Sequence, residues 1–88
     1  MKIPKTLKIQ GHTFKVQQVD TEELDNDAGE MNLSRGYIKV RKDLPQTQLE
    51  QTLFHEILHA LNNEMKEEEV EWLAQGIYQV LKDNKLIK

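Results

Sequence analysis

Leu49-Glu50-Gln51-Thr52-Leu53-Phe54-His55-Glu56-Ile57-Leu58-His59-Ala60-Leu61 is an apolar run with the pentapeptide HExxH set into it. Leu49, Leu53, Ile57, Ala60 and Leu61 recur at three- and four-residue steps, with Phe54 and Leu58 widening the face, which is the pattern of a helix buried along one side. Thr52, His55, Glu56, His59 and Asn63 form the remaining polar stripe. Residues four apart stand one above the other on a helix, so His55 and His59 can offer imidazole nitrogens to one metal ion. Glu56 is turned to the adjacent face, where a carboxylate serves as a base and not as a ligand. The plainer reading is a buried helix with two surface histidines. A helix this apolar is central to its fold.

Outward from that stretch, composition narrows the chemistry. Eighty-eight residues suffice for one domain, spanning 1–88. The chain has no cysteine, so disulfides, thiolate zinc sites and cysteine nucleophiles are all excluded and any bound zinc must use histidine and carboxylate. The N-terminal segment has no apolar core of signal-peptide length and nothing reaches the length of a membrane span, which points to a cytoplasmic protein without membrane contact. Net charge is −3, and no basic patch with interleaved aromatic residues marks a nucleic-acid surface.

Before the helix, Lys5 to Val19 reads as a β-hairpin with Gln10-Gly11 at its turn. His12, beside the turn, reads as an exposed turn residue. Asp20 to Glu30 is a polar connection. Asp25, Asp27 and Gly29 echo a calcium loop, but its other ligands fall out of register. Met31 to Arg41 is extended, punctuated by Ser34-Arg35-Gly36, with Ile38 and Val40 in alternation. Asp43 as cap, Pro45 in the first turn and Gln46 three after the cap start the motif helix, which is expected from about Leu44 to Asn62. A second helix begins near Glu67, with Val70, Leu73, Ala74, Ile77, Val80 and Leu81 on its apolar face and Asn84 as its stop. The expected architecture is α+β: a small antiparallel sheet, made of the hairpin and the strand before the motif, packed on two antiparallel helices.

A catalytic zinc site takes three protein ligands, so the second helix must supply one. In an antiparallel helix pair, residues equidistant from the turn lie level. With the turn centred between Glu64 and Met65, His59 is level with Val70 and His55 with Ala74. Glu71 is the one acidic residue in that interval and the first candidate, with Glu67 and then Glu69 behind it. Ala74 would let the helices approach closely.

His55-Glu56-Ile57-Leu58-His59-Ala60-Leu61, followed by Glu69-Val70-Glu71-Trp72-Leu73-Ala74, resembles the core of the gluzincin metallopeptidases, HExxH with a glutamate on the next helix. The chain is most similar to the small ImmA/IrrE-like proteins carried by phages and integrative elements of bacteria, over about residues 31 to 82. The resemblance implies a minimal zincin-like domain, Zn²⁺ as cofactor, endopeptidase activity on a protein or peptide, and in better-known members a repressor-type regulator as substrate. The chain departs from the family in its short connection, eleven residues between His59 and Glu71, and in having no C-terminal substrate-binding part.

Two functions follow as expectations. In the first, His55, His59 and Glu71 hold Zn²⁺, a zinc-activated water attacks the peptide carbonyl, and Glu56 is the general base. Tyr37, Arg35 and Tyr78 are then candidates to steady the oxyanion, and the strand near Ile38 could add a peptide strand if it lies at a sheet edge. In the second, the chain is a non-catalytic zincin-fold protein that binds a host or phage partner. A base at position 56 favours the first, and the small size of the chain favours the second.

Overall fold

The computed structural model describes residues 1–88. Strands β1 (Thr6–Ile9) and β2 (His12–Val19) form the expected hairpin, turned by Gln10 and Gly11, both at positive φ. A 3₁₀ turn at Thr21–Leu24 leads to β3 (Gly29–Asn32), which doubles back through residues 33–36 into β4 (Tyr37–Arg41). Helices α1 (Gln46–Leu61) and α2 (Glu67–Asp83) follow.

The sheet is mixed, with order β1-β2-β4-β3, and this corrects the wholly antiparallel expectation. β2 and β4 run parallel, pairing Val16 with Ile38 and Gln18 with Val40. The reason is parity. Gly29–Asn32 belongs to no plain connection but forms an edge strand, so the chain reverses twice between β2 and β4 instead of once. β4 is consequently interior, and the strand near Ile38 has no free edge for a peptide. The free edges belong to β1 and β3.

Alternation on the strands and helical spacing on α1 converge on one core. Phe14, Ile38 and Val40 are fully buried on the sheet and Leu53 nearly so on α1, with Ile9, Val16 and Leu49 around them. Each such side chain contributes roughly 1.5–3 kcal/mol of transfer free energy. α2 lies on another side of α1 through Val70, Ala74 and Tyr78, all buried, with the Tyr78 ring 5.9 Å from that of Phe54. α1 starts at Gln46, two residues later than expected. Asp43 does not cap it but binds the Arg41 guanidinium at 2.7 Å, and Pro45 occupies the cap position without a side-chain bond.

Packing on two sides draws a charge into the interior. Glu50 is fully buried, and its carboxylate accepts hydrogen bonds from the Gln46 amide at 2.7 Å, the Tyr78 hydroxyl at 2.7 Å and the Met1 ammonium at 3.0 Å. Lys82 adds an ion pair at 3.4 Å. Burial pushes this carboxyl upward, but the four partners together outweigh it and hold the group at about 2 instead of the usual 4.5.

Because the folded value lies below the unfolded one, the stabilisation is complete above pH 4.5 and disappears as pH falls toward about 2. Urea denaturation across that window should show wild-type stability declining more steeply than that of Glu50→Gln. Tyr78→Phe removes one bond to a buried carboxylate and should cost about 1.5–3 kcal/mol at neutral pH.

Candidate metal centre

One turn of α1 separates His55 from His59, and their rings meet edge-on with centroids 4.9 Å apart. Their Nε2 atoms are 3.2 Å apart and face the same point. Glu67, in the first turn of α2, reaches into that point: one carboxylate oxygen lies 2.6 Å from His55 Nε2 and the other 3.0 Å from His59 Nε2. Ligand atoms of all three residues fall within 4.8 Å of one another, so His55, His59 and Glu67 form a group that could hold a metal ion.

The donor set fits such an ion. Two imidazole nitrogens and one carboxylate are the His₂Glu combination of catalytic zinc sites, whose bonds of about 2.0–2.1 Å in tetrahedral geometry space the ligand atoms roughly 3.3 Å apart. The two Nε2 atoms, 3.2 Å apart, already have that spacing, and each Glu67 oxygen lies within 3.0 Å of one of them. Two nitrogen lone pairs and a carboxylate directed at one point repel unless a proton or a cation stands among them. A divalent cation satisfies all three together.

Glu56 has a different setting. It is 6% exposed, against Glu67 whose side chain is 69% exposed, and no hydrogen bond or ion pair from another side chain reaches its carboxylate. Burial pushes its carboxyl up to about 8, and the negative charges of Glu67, Glu30 and Asp27 add to that rise. Close packing against β3 makes this burial possible. A Cβ on Gly29 would stand 2.7 Å from Thr52 Cγ2 and 3.1 Å from a Glu56 carboxylate oxygen, so only glycine lets the strand lie against α1 here.

The cleft over the group has a volume of about 710 Å³ and is lined mostly by polar side chains of α1 and α2, with Asp27, Ala28 and Gly29 along its β3 side. Glu71, the first candidate for third ligand, lines this cleft but is not one of the three clustered residues. Glu67, placed second, is. Glu67 precedes Val70 by three residues and Ala74 by seven, on the stripe of α2 that packs against α1, whereas Glu71 lies at that stripe's edge. Height about the turn centre favours Glu71 over Glu67, about a turn lower, but a glutamate side chain is long enough to span most of a helical pitch of about 5.4 Å. Glu69 is turned to the start of α2, where it accepts a hydrogen bond from the Lys66 backbone N–H.

The remaining candidates stand elsewhere. Tyr78 is committed to Glu50, the Tyr37 hydroxyl donates to Glu30, and neither these nor Arg35 lines the cleft. His12 is exposed and stacks edge-on with Phe14, as its position beside the turn implied. The cleft instead contains Gln48, Gln51 and Gln75. Gln48 and Gln51 were legible by continuing the polar stripe of Thr52, His55 and His59 one turn toward the N-terminus. No family model, curated protein or solved structure matches the chain.

Zinc titration followed by elemental analysis should find one ion per chain, lost in His59→Ala and Glu67→Ala and retained in Glu71→Ala. The reverse pattern for the two glutamates would transfer the ligand role to Glu71. Gly29→Ala should destabilise the fold by about 1–3 kcal/mol through overpacking. Thr52→Ser, which removes the closest methyl, should recover part of that loss in a double-mutant cycle.

Proposed function

We propose that the protein is a zinc-dependent metalloendopeptidase in which His55, His59 and Glu67 hold Zn²⁺ and Glu56 is the general base. The observation that carries this reading is the pairing of the three-residue group with a buried, unpartnered carboxylate on the same helix, both opening on one cleft. Glu71, at the edge of that cleft, is the alternative third ligand. A purely structural metal site has no use for such a carboxylate.

Bound zinc supplies Lewis acidity toward a water and a peptide carbonyl. Glu56 takes a proton from the water as its oxygen bonds to the carbonyl carbon, and returns it to the nitrogen as the C–N bond breaks. A dication close by opposes the field of the neighbouring carboxylates, which favours the ionised form of Glu56 that this first transfer needs. Gln48, Gln51 and Gln75 have amide N–H groups in the cleft to donate toward developing negative charge. In this reading an extended peptide, such as a segment of a repressor-type regulator, would pair with β3, which has a free edge and whose start lines the cleft.

A second reading rests on its own observation. No tyrosine, arginine or lysine lines the cleft, so cationic or phenolic stabilisation of an oxyanion is missing. That favours a zincin-fold protein that keeps the metal group and works by binding another protein.

Zinc-loaded wild type and Glu56→Gln, incubated with unfolded protein substrates and read by mass spectrometry, separate the two. The peptidase reading expects cleavage by wild type and a loss of about 10²–10⁴-fold in Glu56→Gln at unchanged zinc content. Equal inactivity of both, across a broad peptide library, would leave the binding reading.

A further inference from the structure

The side of α2 turned away from α1 is apolar and uncovered. Trp72 is 76% exposed, Val80 56%, Ile77 38% and Leu73 37%, and together with Gly76 and Leu81 they line one shallow groove. Gly76 stands in the middle of this face. Neither the backbone nor the packing of the chain requires a glycine there: its φ is not positive, and a Cβ added to it would meet nothing within 4 Å. Glycine is the least favourable residue after proline in a helix interior. What Gly76 does provide is a gap in the apolar ridge through which another helix backbone can come close.

Charge along α2 selects the orientation of that helix. Its first turn carries Glu67, Glu68 and Glu69, and its far end carries Lys82 and Asp83, with Lys85 and Lys88 just beyond. Glu67 is turned to the histidines and Lys82 to Glu50, so Glu68 and Glu69 at one end and the two lysines beyond the other are the opposite charges open to a partner. A second α2 laid antiparallel brings the acidic end of each helix beside the basic end of the other and opposes the two macrodipoles, whereas a parallel arrangement stacks like charges. The area is adequate for a modest interface. Trp72 and the three aliphatic residues expose on the order of 400 Å² per copy. Two copies bring together about 800 Å² of this surface, the size of a weak, concentration-dependent contact and below the roughly 1,200 Å² of stable specific interfaces.

We propose that this face is a homodimer interface, in which two copies of α2 cross antiparallel about a two-fold axis beside Gly76. Trp72 of one copy then lies opposite Leu81 of its partner, and Leu73 opposite Val80. The metal group faces a different side of α2, so both clefts stay open in the dimer.

Sedimentation velocity on the zinc-loaded full chain tests this, with emission of the one tryptophan as a second readout. Mass should rise from 10.3 kDa to twice that value with concentration, together with a blue shift of Trp72 emission. Val80→Glu should be monomeric with an unchanged circular dichroism spectrum. Gly76→Ala should melt higher as a dilute monomer yet dimerise about tenfold or more weakly, an opposition that a helix with no partner would not show. A wild type that stays monomeric with constant emission up to about 500 μM would overturn the proposal, including the case where the face serves a different protein. A dimer indifferent to both substitutions would overturn it equally.

Discussion

Packing α1 between the sheet and α2 buries two carboxylates of one helix, Glu50 wholly and Glu56 all but its side on the cleft, and the rest of the structure answers each differently. Glu50 receives an ammonium, an amide, a phenol and a lysine, and its carboxyl falls to about 2. Glu56 receives no partner, so its burial stands uncompensated, the field of three more acids adds to it, and its carboxyl rises to about 8. Chemical type is identical at the two positions. The difference lies wholly in which elements supply donors, as when one protein runs an acid and a base from two carboxyl groups. Glu50 ties α1 to α2 and to the start of the chain, and that tie fixes the helix on which the histidines stand.

Much of the site could be read before the fold was known, because it is written on one helix. The four-residue step from His55 to His59 and the one-residue offset of Glu56 are local, and a helix converts local spacing into geometry without outside help. The third member of the group is a tertiary matter. It depends on how two helices face each other and on how far a side chain reaches, and height along the pair reports neither. The fold was legible to a similar depth. The hairpin, the strand at Ile38 and both helices follow from periodicity. β3 does not, since Gly29-Glu30-Met31-Asn32 contains a single apolar side chain and shows no alternation. Missing one polar edge strand inverted the parity of the sheet.

Glu50 was hidden for the opposite reason. It sits beside Leu49 and three residues before Leu53, inside the apolar face, where a carboxylate reads as a break in the pattern. Its partners come from residues 1, 46, 78 and 82, of which only Gln46 is close in sequence. Buried polar groups need their donors supplied from somewhere, and for Glu50 most of the supply is long-range.

The division of labour on α2 follows from the same constraint. Val70, Ala74 and Tyr78 hold it to α1, and their small or slender middle, Ala74, brings the helices together beside the histidines. Glu67 extends that stripe by one turn toward the connection, which is why the three residues that could hold a metal ion gather at the end where the two helices are joined. Anchored by its buried stripe and by the Tyr78–Glu50 bond, α2 has little freedom to rotate. A glutamate in its first turn is therefore aimed at the imidazoles by contacts that begin one turn away at Val70 and extend to Tyr78.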